Sequence, residues 1–173
     1  MKYESEGEAD TASQDPPDLS DSESTDSQDS DRTIGPAYTV SELERAWYYY
    51  GIAHDGEHPE LLYRTSWEKK PWVAPTGRVA RPFYGTPLNR IWDTVGPKID
   101  NLVNAAVTKS YTINTTRFFT VPDGESVKNG TLGSVVVWIS VHPGSTSAST
   151  AHLVSQGILQ LLTDNGVTDV DVE

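Results

Sequence analysis

The sequence predicts a small α/β protein of the α+β kind, with a mixed sheet of three or more strands and two helices on one face. Apolar side chains recur at helical spacing over residues 88–106 and 151–162. Residues 111–121 and 134–141 are instead rich in β-branched and aromatic residues, which is typical of strands. Residues 167–173 alternate as a last strand. The predicted order is therefore α-β-β-α-β, preceded by an irregular proline-rich arm.

The two helical segments carry their own stop signals. Pro97 lacks an amide donor and its ring clashes with the preceding turn, so we predict a kink or a break near Val95-Gly96. Asn165-Gly166 predicts the end of the second helix. We expect Trp92 on the first helix to be buried.

The connections predict how the strands pair. Residues 134–141 and 167–173 are joined by a helix, which favours a parallel pair with a right-handed crossover. Residues 111–121 and 134–141 have a shorter link and are predicted to be antiparallel. The strand at 134–141 is apolar on both faces, which indicates a central strand with Trp138 buried on it. We expect the aromatic arm of residues 60–85 to cover its second face.

Charge and composition divide the 173-residue chain into three regions. Residues 1–32 hold 11 acids and two bases of a chain whose net charge is −12. Residues 1–36 contain almost nothing to bury and are predicted to be a disordered acidic tail. The tail is either a solubilising segment or an interaction segment phosphorylated at Ser20, which precedes Asp21. Residues 37–85 are predicted to form a short helix and the arm, and residues 86–173 the compact domain.

The arm is proline-rich, aromatic and basic. Ser41 and Glu44 form a capping-box pattern that predicts the short helix ahead of it. Four prolines between residues 71 and 87 exclude a long helix. Residues 64–90 contain six bases against one acid. We expect Trp67, which lies in a polar stretch, to tolerate substitution better than the other two tryptophans.

Several classes of protein are excluded or disfavoured. The chain has no cysteine, which excludes disulfides, thiolate metal sites and a cysteine nucleophile. It has no apolar run near the roughly 18 residues that a membrane helix needs. The net negative charge disfavours nucleic acid and anionic lipid as partners. We therefore expect a protein of the cytosol or nucleus, without a cofactor and with an unidentified protein partner.

Four stretches of the chain match one group of proteins. "HPELLYRTS", "PWVAPTGRVARP", "GTPLNRIWDTVGP" and "VVVWISVHPGST" resemble segments of uncharacterised fungal proteins, over roughly residues 57–173. The resemblance implies a fungal intracellular origin and carries over no functional residue. In such relatives the chain continues past the strand that matches residues 167–173. Residues 86–173 are thus expected either to end on a short strand or to belong to a shortened form of a longer protein.

The spacing of most residues of catalytic or metal-binding types does not predict an active site or a metal site. His54 and His58 have the spacing of a helical metal pair, but Gly56 and Pro59 disfavour a helix, so we expect solvated loop histidines and no metal site. We expect most of the domain's aspartates, Asp171 among them, to face water. No nucleophile-elbow, phosphate-loop, zinc-protease or dinucleotide motif is present.

The turn at residues 142–147 is the predicted site. His142 lies at the carboxyl end of a central strand, where ligands of α/β sheets tend to bind. Gly144 allows close approach of the backbone, and Ser145 and Thr146 precede a helix whose free amides favour an anion. The alternative is a plain corner, with Pro143-Gly144 as the turn and a serine as helix cap.

Two arginines of the arm could complete such a site. Arg78 and Arg81 could clamp a phosphate or carboxylate, or they could neutralise acids of the domain or the tail. Two function hypotheses follow. The first is an interaction or adaptor protein without catalysis. The second is a small-anion-binding protein, or an enzyme acting on an anionic substrate, at the 142–147 turn; whether the protein is an enzyme is left open.

Overall fold

The structure is a computed structural model that describes residues 37–53, 57–73 and 76–173. The predicted acidic tail lies outside the described residues, and so does His54. The predicted boundaries at residues 36 and 85 stay predictions.

The described residues contain three α-helices and four strands, with short 3-10 turns between some of them. The order along the chain is α1 (Glu42–Trp47), a turn (Thr65–Trp67), β1 (Thr76–Arg81), α2 (Pro87–Asn104), β2 (Tyr111–Pro122), a turn (Val127–Asn129), β3 (Thr131–Val141), α3 (Ala148–Asp164) and β4 (Val170–Val172).

The four strands form one mixed sheet in the order β1-β2-β3-β4. β1 pairs antiparallel with β2, and β2 with β3, whereas β3 and β4 are parallel. The predicted α+β class, the order α-β-β-α-β from α2 onward and both predicted strand pairings are confirmed. The arm is less irregular than predicted, because its residues 76–81 add β1 to the edge of the sheet. Pro82 follows the last residue of this strand and therefore does not interrupt its ladder.

The helix α2 runs for 18 residues through Pro97, so the break predicted near Val95-Gly96 does not occur. Thr86 caps its start by accepting a hydrogen bond from the Asn89 amide at 3.3 Å. Pro97 removes the hydrogen bond to the carbonyl of Asp93, and both residues are exposed. Water can therefore satisfy that carbonyl, and the helix continues.

The ends of α3 match the predicted signals. Ser147 caps the helix by accepting from the Thr150 amide at 3.1 Å. Gly166 has a positive φ of 78° directly after the helix. The Val167 amide donates to the Leu162 carbonyl at 2.9 Å, which closes the last turn in the usual glycine-dependent manner.

The main core lies between the sheet and the pair α2 and α3. Both helices contribute one apolar stripe each, and β3 and β4 contribute the sheet face. The buried residues of this core are Leu88, Val95, Ile99, Val103, Val135, Val137, Ile158, Leu162, Val167, Val170 and Val172. Two helices on one face of the sheet are thus as predicted.

A second, more aromatic core covers the opposite face. Its buried members are Val40, Tyr48, Tyr49, Leu61, Phe118 and Val136, with Trp72 and Trp138 partly buried against them. Val136 faces this core while its neighbours in β3 face the main one, which explains a strand that is apolar on both sides. The α1 segment supplies more of the cover than the arm does.

The tryptophans are less deeply buried than predicted. Trp92 and Trp138 are each half-buried, because each lies at the margin of its core and keeps part of its ring in solvent. Trp138 packs against Tyr49 and Phe118, with ring centroids 5.4 and 5.7 Å away. Trp67 is also half-buried and stacks on Tyr38 at 4.8 Å.

Within the described ranges, no helix is both long enough and apolar enough to cross a lipid bilayer.

Candidate functional site

The turn after β3 borders a cavity of about 640 Å³, which we call the turn cavity. The end of β3, the facing sides of α2 and α3, and the loop at residues 59–63 form its walls. Most of its lining is apolar. His142 and Thr146 line it at the turn, and Tyr63 and Ser155 line it from two other elements.

The geometry of the turn accounts for its glycine. The Ser145 amide donates to the His142 carbonyl at 3.0 Å, which closes a four-residue turn. Gly144 has a φ of 71°, a left-handed conformation that favours glycine. A side chain at residue 144 would meet no atom within 4 Å, so the glycine serves the turn and not a close approach.

Two hydroxyl groups at the turn have no partner. Ser145 is buried, and neither its Oγ nor the Oγ1 of Thr146 has a hydrogen-bond partner among the described residues. Ser147 is different, because its hydroxyl caps α3. The predicted helix-cap role of a serine is thus confirmed at Ser147.

The structure brings only part of the predicted site together. His142, Gly144 and Thr146 line the turn cavity, whereas the buried Ser145 does not. Arg78 and Arg81 both lie on β1, and neither lines this cavity. Anion binding by the turn therefore stays a prediction, and it would have to work without these arginines.

The described histidines each have a neighbour that explains their position. His58 Nε2 lies 2.6 Å from the Ala46 carbonyl, and His152 Nδ1 lies 2.7 Å from the Tyr63 hydroxyl. His142 is exposed, with Nδ1 3.0 Å from the Pro143 carbonyl. Within the part of the chain that the structure describes, no three His, Cys, Asp or Glu side chains cluster as metal ligands would.

A second cavity, of about 360 Å³, lies on the α1 face of the sheet; we call it the arginine cavity. It is formed where the segment 64–73 crosses the outer faces of the strands. Its charged lining residues are Arg64, Lys70, Arg78, Asp171 and Glu173.

Arg64 is an almost fully buried cation, with 1% of its surface exposed. Its Nε donates to the Glu44 carboxylate at 2.7 Å, and its Nη1 donates to the Lys70 carbonyl at 2.7 Å and the Ser66 hydroxyl at 3.2 Å. Its Nη2 is buried and has no described acceptor. The Nε and Nη1 atoms of the guanidinium are therefore hydrogen-bonded, whereas Nη2 has no acceptor among the described residues.

Arg78 is held by its backbone and by aromatic rings. Its amide donates to the Tyr50 carbonyl at 3.0 Å. The guanidinium carbon lies 3.7 Å from the centre of the Tyr48 ring and 5.5 Å from that of Phe118. Its Nε is buried and has no acceptor among the described residues, and the Glu173 carboxyl is the negative group near its charge.

Arg81 points to the other face of the same strand. Residues three apart on a strand face opposite sides, and Arg81 accordingly lies near Phe119 at 5.8 Å instead of Phe118. Arg81 is exposed and does not line the arginine cavity. The two arginines that the sequence groups together are therefore in different environments.

One carboxylate lies between the two cavities. Glu173 lines both of them and accepts hydrogen bonds from the Tyr48 hydroxyl at 2.6 Å and the Tyr49 hydroxyl at 3.1 Å. Burial raises the pKa of the Glu173 carboxyl, and the nearby charge of Arg78 opposes this shift. Burial also raises the pKa of Tyr48 and of Tyr49, so both hydroxyls remain donors at neutral pH.

A smaller polar group borders the arginine cavity beside β4. Lys70 Nζ donates to the Ser134 hydroxyl at 2.7 Å and lies 3.3 Å from the Asp171 carboxylate. Ser134 in turn donates to Asp171. Asp93, Asp100, Asp164 and Asp169 are exposed, as expected for most of the domain's aspartates. Asp171 is the exception and is buried, because residues 65–70 lie over β4 on this side.

The arginine cavity is lined by three cationic side chains, those of Arg64, Lys70 and Arg78, and by no described histidine. Arg64 Nη2 and Arg78 Nε are buried and have no acceptor among the described residues. The cationic lining is the feature of this cavity that suits an anion.

Sequence reasoning identified Arg78 as a candidate and missed most of its surroundings. Arg64 appeared only as one of six bases, and Glu173 and Tyr48 were not singled out. A weak signal exists for Glu173, because the alternation of residues 167–173 continues to it. No local pattern relates Tyr48 to a residue 125 positions later.

The comparisons with known proteins give no match: no protein-family model, curated protein or solved structure matches this chain.

Proposed function

We propose that this protein binds a small anion in the arginine cavity and acts by binding alone. The observation that carries the proposal is Arg78. Its guanidinium is half-buried and lines the cavity, its buried Nε has no acceptor among the described residues, and the nearby Glu173 carboxyl forms no salt bridge with it.

An unmatched guanidinium in this position is costly. Arginine has five N–H donors and keeps its charge, and burying a charge without partners is strongly unfavourable. Most buried polar groups in proteins are hydrogen-bonded. A carboxylate or a phosphate in the cavity would supply further acceptors for the Arg78 guanidinium.

A second donor supports the same site. Arg64 lines the same cavity as Arg78, its buried Nη2 has no acceptor among the described residues, and the guanidinium carbons of Arg64 and Arg78 lie 5.2 and 3.7 Å from the centre of the Tyr48 ring. Arg64 is fixed by Glu44, and Arg78 is fixed by stacking. Because both cations are already positioned, an anion would bind with little ordering cost.

Both sequence hypotheses continue as proposals. The small-anion hypothesis keeps Arg78 and moves its centre from the turn to the arginine cavity. The interaction or adaptor hypothesis is favoured by an apolar stripe on α1 and the turn after it, where Leu43, Trp47 and Tyr50 are 62%, 41% and 45% exposed. We propose a fungal cell as the source and its cytosol or nucleus as the setting.

The experiment compares two arginines of one strand. Thermal unfolding of the parent, Arg78→Gln and Arg81→Gln is measured across an acetate series and a phosphate series, with sodium chloride at matched ionic strength as the reference. We expect acetate, phosphate or both to stabilise the parent and Arg81→Gln by up to about 2.7 kcal/mol at a hundredfold excess over Kd. Arg78→Gln should lose that stabilisation.

Two results would contradict the proposal. One is equal stabilisation of all three proteins. The other is no stabilisation of the parent beyond sodium chloride. His142→Ala serves as a further control: loss of anion stabilisation in this variant alone would place the site at the turn.

A further inference from the structure

The geometry points to a specific ligand class for the arginine cavity: a small molecule with one carboxylate on a flat aromatic body. This inference rests on the proposed anion binding and adds the number of charges and the kind of scaffold.

The charges around the cavity disfavour a ligand with more than one negative charge. Arg64 is paired with Glu44 at 2.7 Å, and Lys70 with Asp171 at 3.3 Å. Arg78 has the Glu173 carboxyl nearby, although no salt bridge joins these two described residues. Asp171 and Glu173 would therefore repel a phosphate with nearly two charges more strongly than a ligand with one carboxylate.

The available donors also fit a carboxylate. A guanidinium is planar and presents parallel N–H groups that bind the two oxygens of a carboxylate together. Arg78 is the more exposed of the two arginines that line the cavity, and its Nε has no acceptor among the described residues. Arg78 is therefore the donor that a planar anion would use.

The walls of the cavity indicate the rest of the ligand. Trp72 is the half-buried aromatic side chain of the wall, whereas the other two lining aromatic residues, Tyr48 and Phe118, are almost fully buried. A partly exposed aromatic ring binds a flat ring by stacking or edge contact. The volume of about 360 Å³ is near the lower end for ligand pockets, which favours a molecule built on a single ring.

The test measures binding of four probes to the full chain by isothermal titration calorimetry at constant ionic strength. The probes are benzoate, acetate, phenyl phosphate and benzyl alcohol. We expect benzoate to bind about tenfold more tightly than acetate, since one good aromatic contact is worth about 1 kcal/mol or slightly more. Phenyl phosphate should bind more weakly than benzoate, and benzyl alcohol should not bind measurably.

Trp72→Ala and Trp67→Ala form a matched pair of variants. Both remove a half-buried tryptophan, but only Trp72 lines the arginine cavity. Trp72→Ala should lower the preference for benzoate over acetate, while Trp67→Ala should keep it. The four-probe series on the parent decides the ligand class even where a variant fails to fold.

The outcomes separate this inference from the proposed function. Equal affinities for benzoate and acetate, or tighter binding of phenyl phosphate, would overturn the ligand class and leave anion binding intact. Absence of binding for all three anions would overturn both.

Discussion

At the scale of single residues, the pair of Arg64 and Glu44 shows how this fold buries a cation. Both side chains are almost fully buried and joined at 2.7 Å, and Tyr38 donates to the second oxygen of Glu44 at 2.7 Å. Glu44 therefore does more than the capping-box pattern predicts. Ser41 accepts from the Glu44 amide as expected, while the Glu44 side chain turns inward to Arg64.

Glu44→Ala should destabilise the protein by about 3–5 kcal/mol, because it leaves the buried Arg64 without its counter-charge. Chemical denaturation measures the change in the free energy of unfolding. Glu42→Ala is the control, since Glu42 is exposed in the same helical turn and should cost about 0.5 kcal/mol or less. Similar losses in the two variants would show that the pair is not buried as described.

Glu173 gives the fold a pH dependence with a definite sign. Burial raises the pKa of its carboxyl above the ordinary value of 4.5, so the folded protein binds this proton more tightly than the unfolded chain does. The contribution of this proton to the free energy of unfolding is complete below about pH 4.5, the ordinary pKa of the carboxyl in the unfolded chain. It falls as the pH rises through the raised pKa of the folded protein. The groups around it are Tyr48, Tyr49, Arg78 and Asp171.

Glu173→Gln should remove that dependence. The difference in unfolding free energy between parent and variant, followed from pH 4 to pH 8, should shift in favour of the variant as the pH rises. Other acids titrate alike in both proteins and cancel in the difference. A flat difference, or a shift in favour of the parent, would contradict the raised pKa.

At the scale of elements, the helices and strands that could be predicted are those whose residue pattern lies within the element itself. The helical stripes, the two long strands and the final alternation all gave elements that the structure contains. β1 was missed because six residues reading "TGRVAR" have no clear alternation. Its strand conformation comes from pairing with β2, which no local pattern shows.

The aromatic core on the α1 face of the sheet predicts how much stability is lost when Trp138 of β3 is replaced. Trp138→Ala should cost about 3 kcal/mol, the lower end for loss of a large aromatic side chain, because Trp138 is half-buried between Tyr49 and Phe118. Trp67→Ala should cost less, since Trp67 stacks on one ring, that of Tyr38. Denaturant titration of both variants measures this order. The reverse order would mean that the aromatic core is not centred on the sheet.

At the scale of the whole molecule, the arginine cavity is assembled from distant parts of the chain. Tyr48, Arg64, Arg78 and Glu173 come from four different segments. The sequence could show that Arg78 is suited to an anion, but only the fold shows which groups surround it. The 142–147 turn was easier to recognise because its residues are contiguous.

Removal of residues 1–36 tests the predicted role of the acidic tail. The tail holds most of the net negative charge and almost nothing apolar, so its deletion should change the melting temperature by less than about 2 °C. Thermal unfolding at two salt concentrations separates charge effects from lost contacts. A fall of several degrees at both concentrations would show that the tail docks on the fold.

Whether the Arg78 guanidinium receives an anion can be measured by NMR of the arginine side chains. The Nε–H resonances of the ¹⁵N-labelled parent are recorded during an acetate titration and a phosphate titration, with Arg78 and Arg81 assigned by their loss in Arg78→Gln and Arg81→Gln. We expect a saturable shift of the Arg78 resonance with at least one of the two anions and an unchanged Arg81 resonance. An Arg78 resonance that responds to neither anion, or that responds no more than Arg81, would contradict anion binding at Arg78.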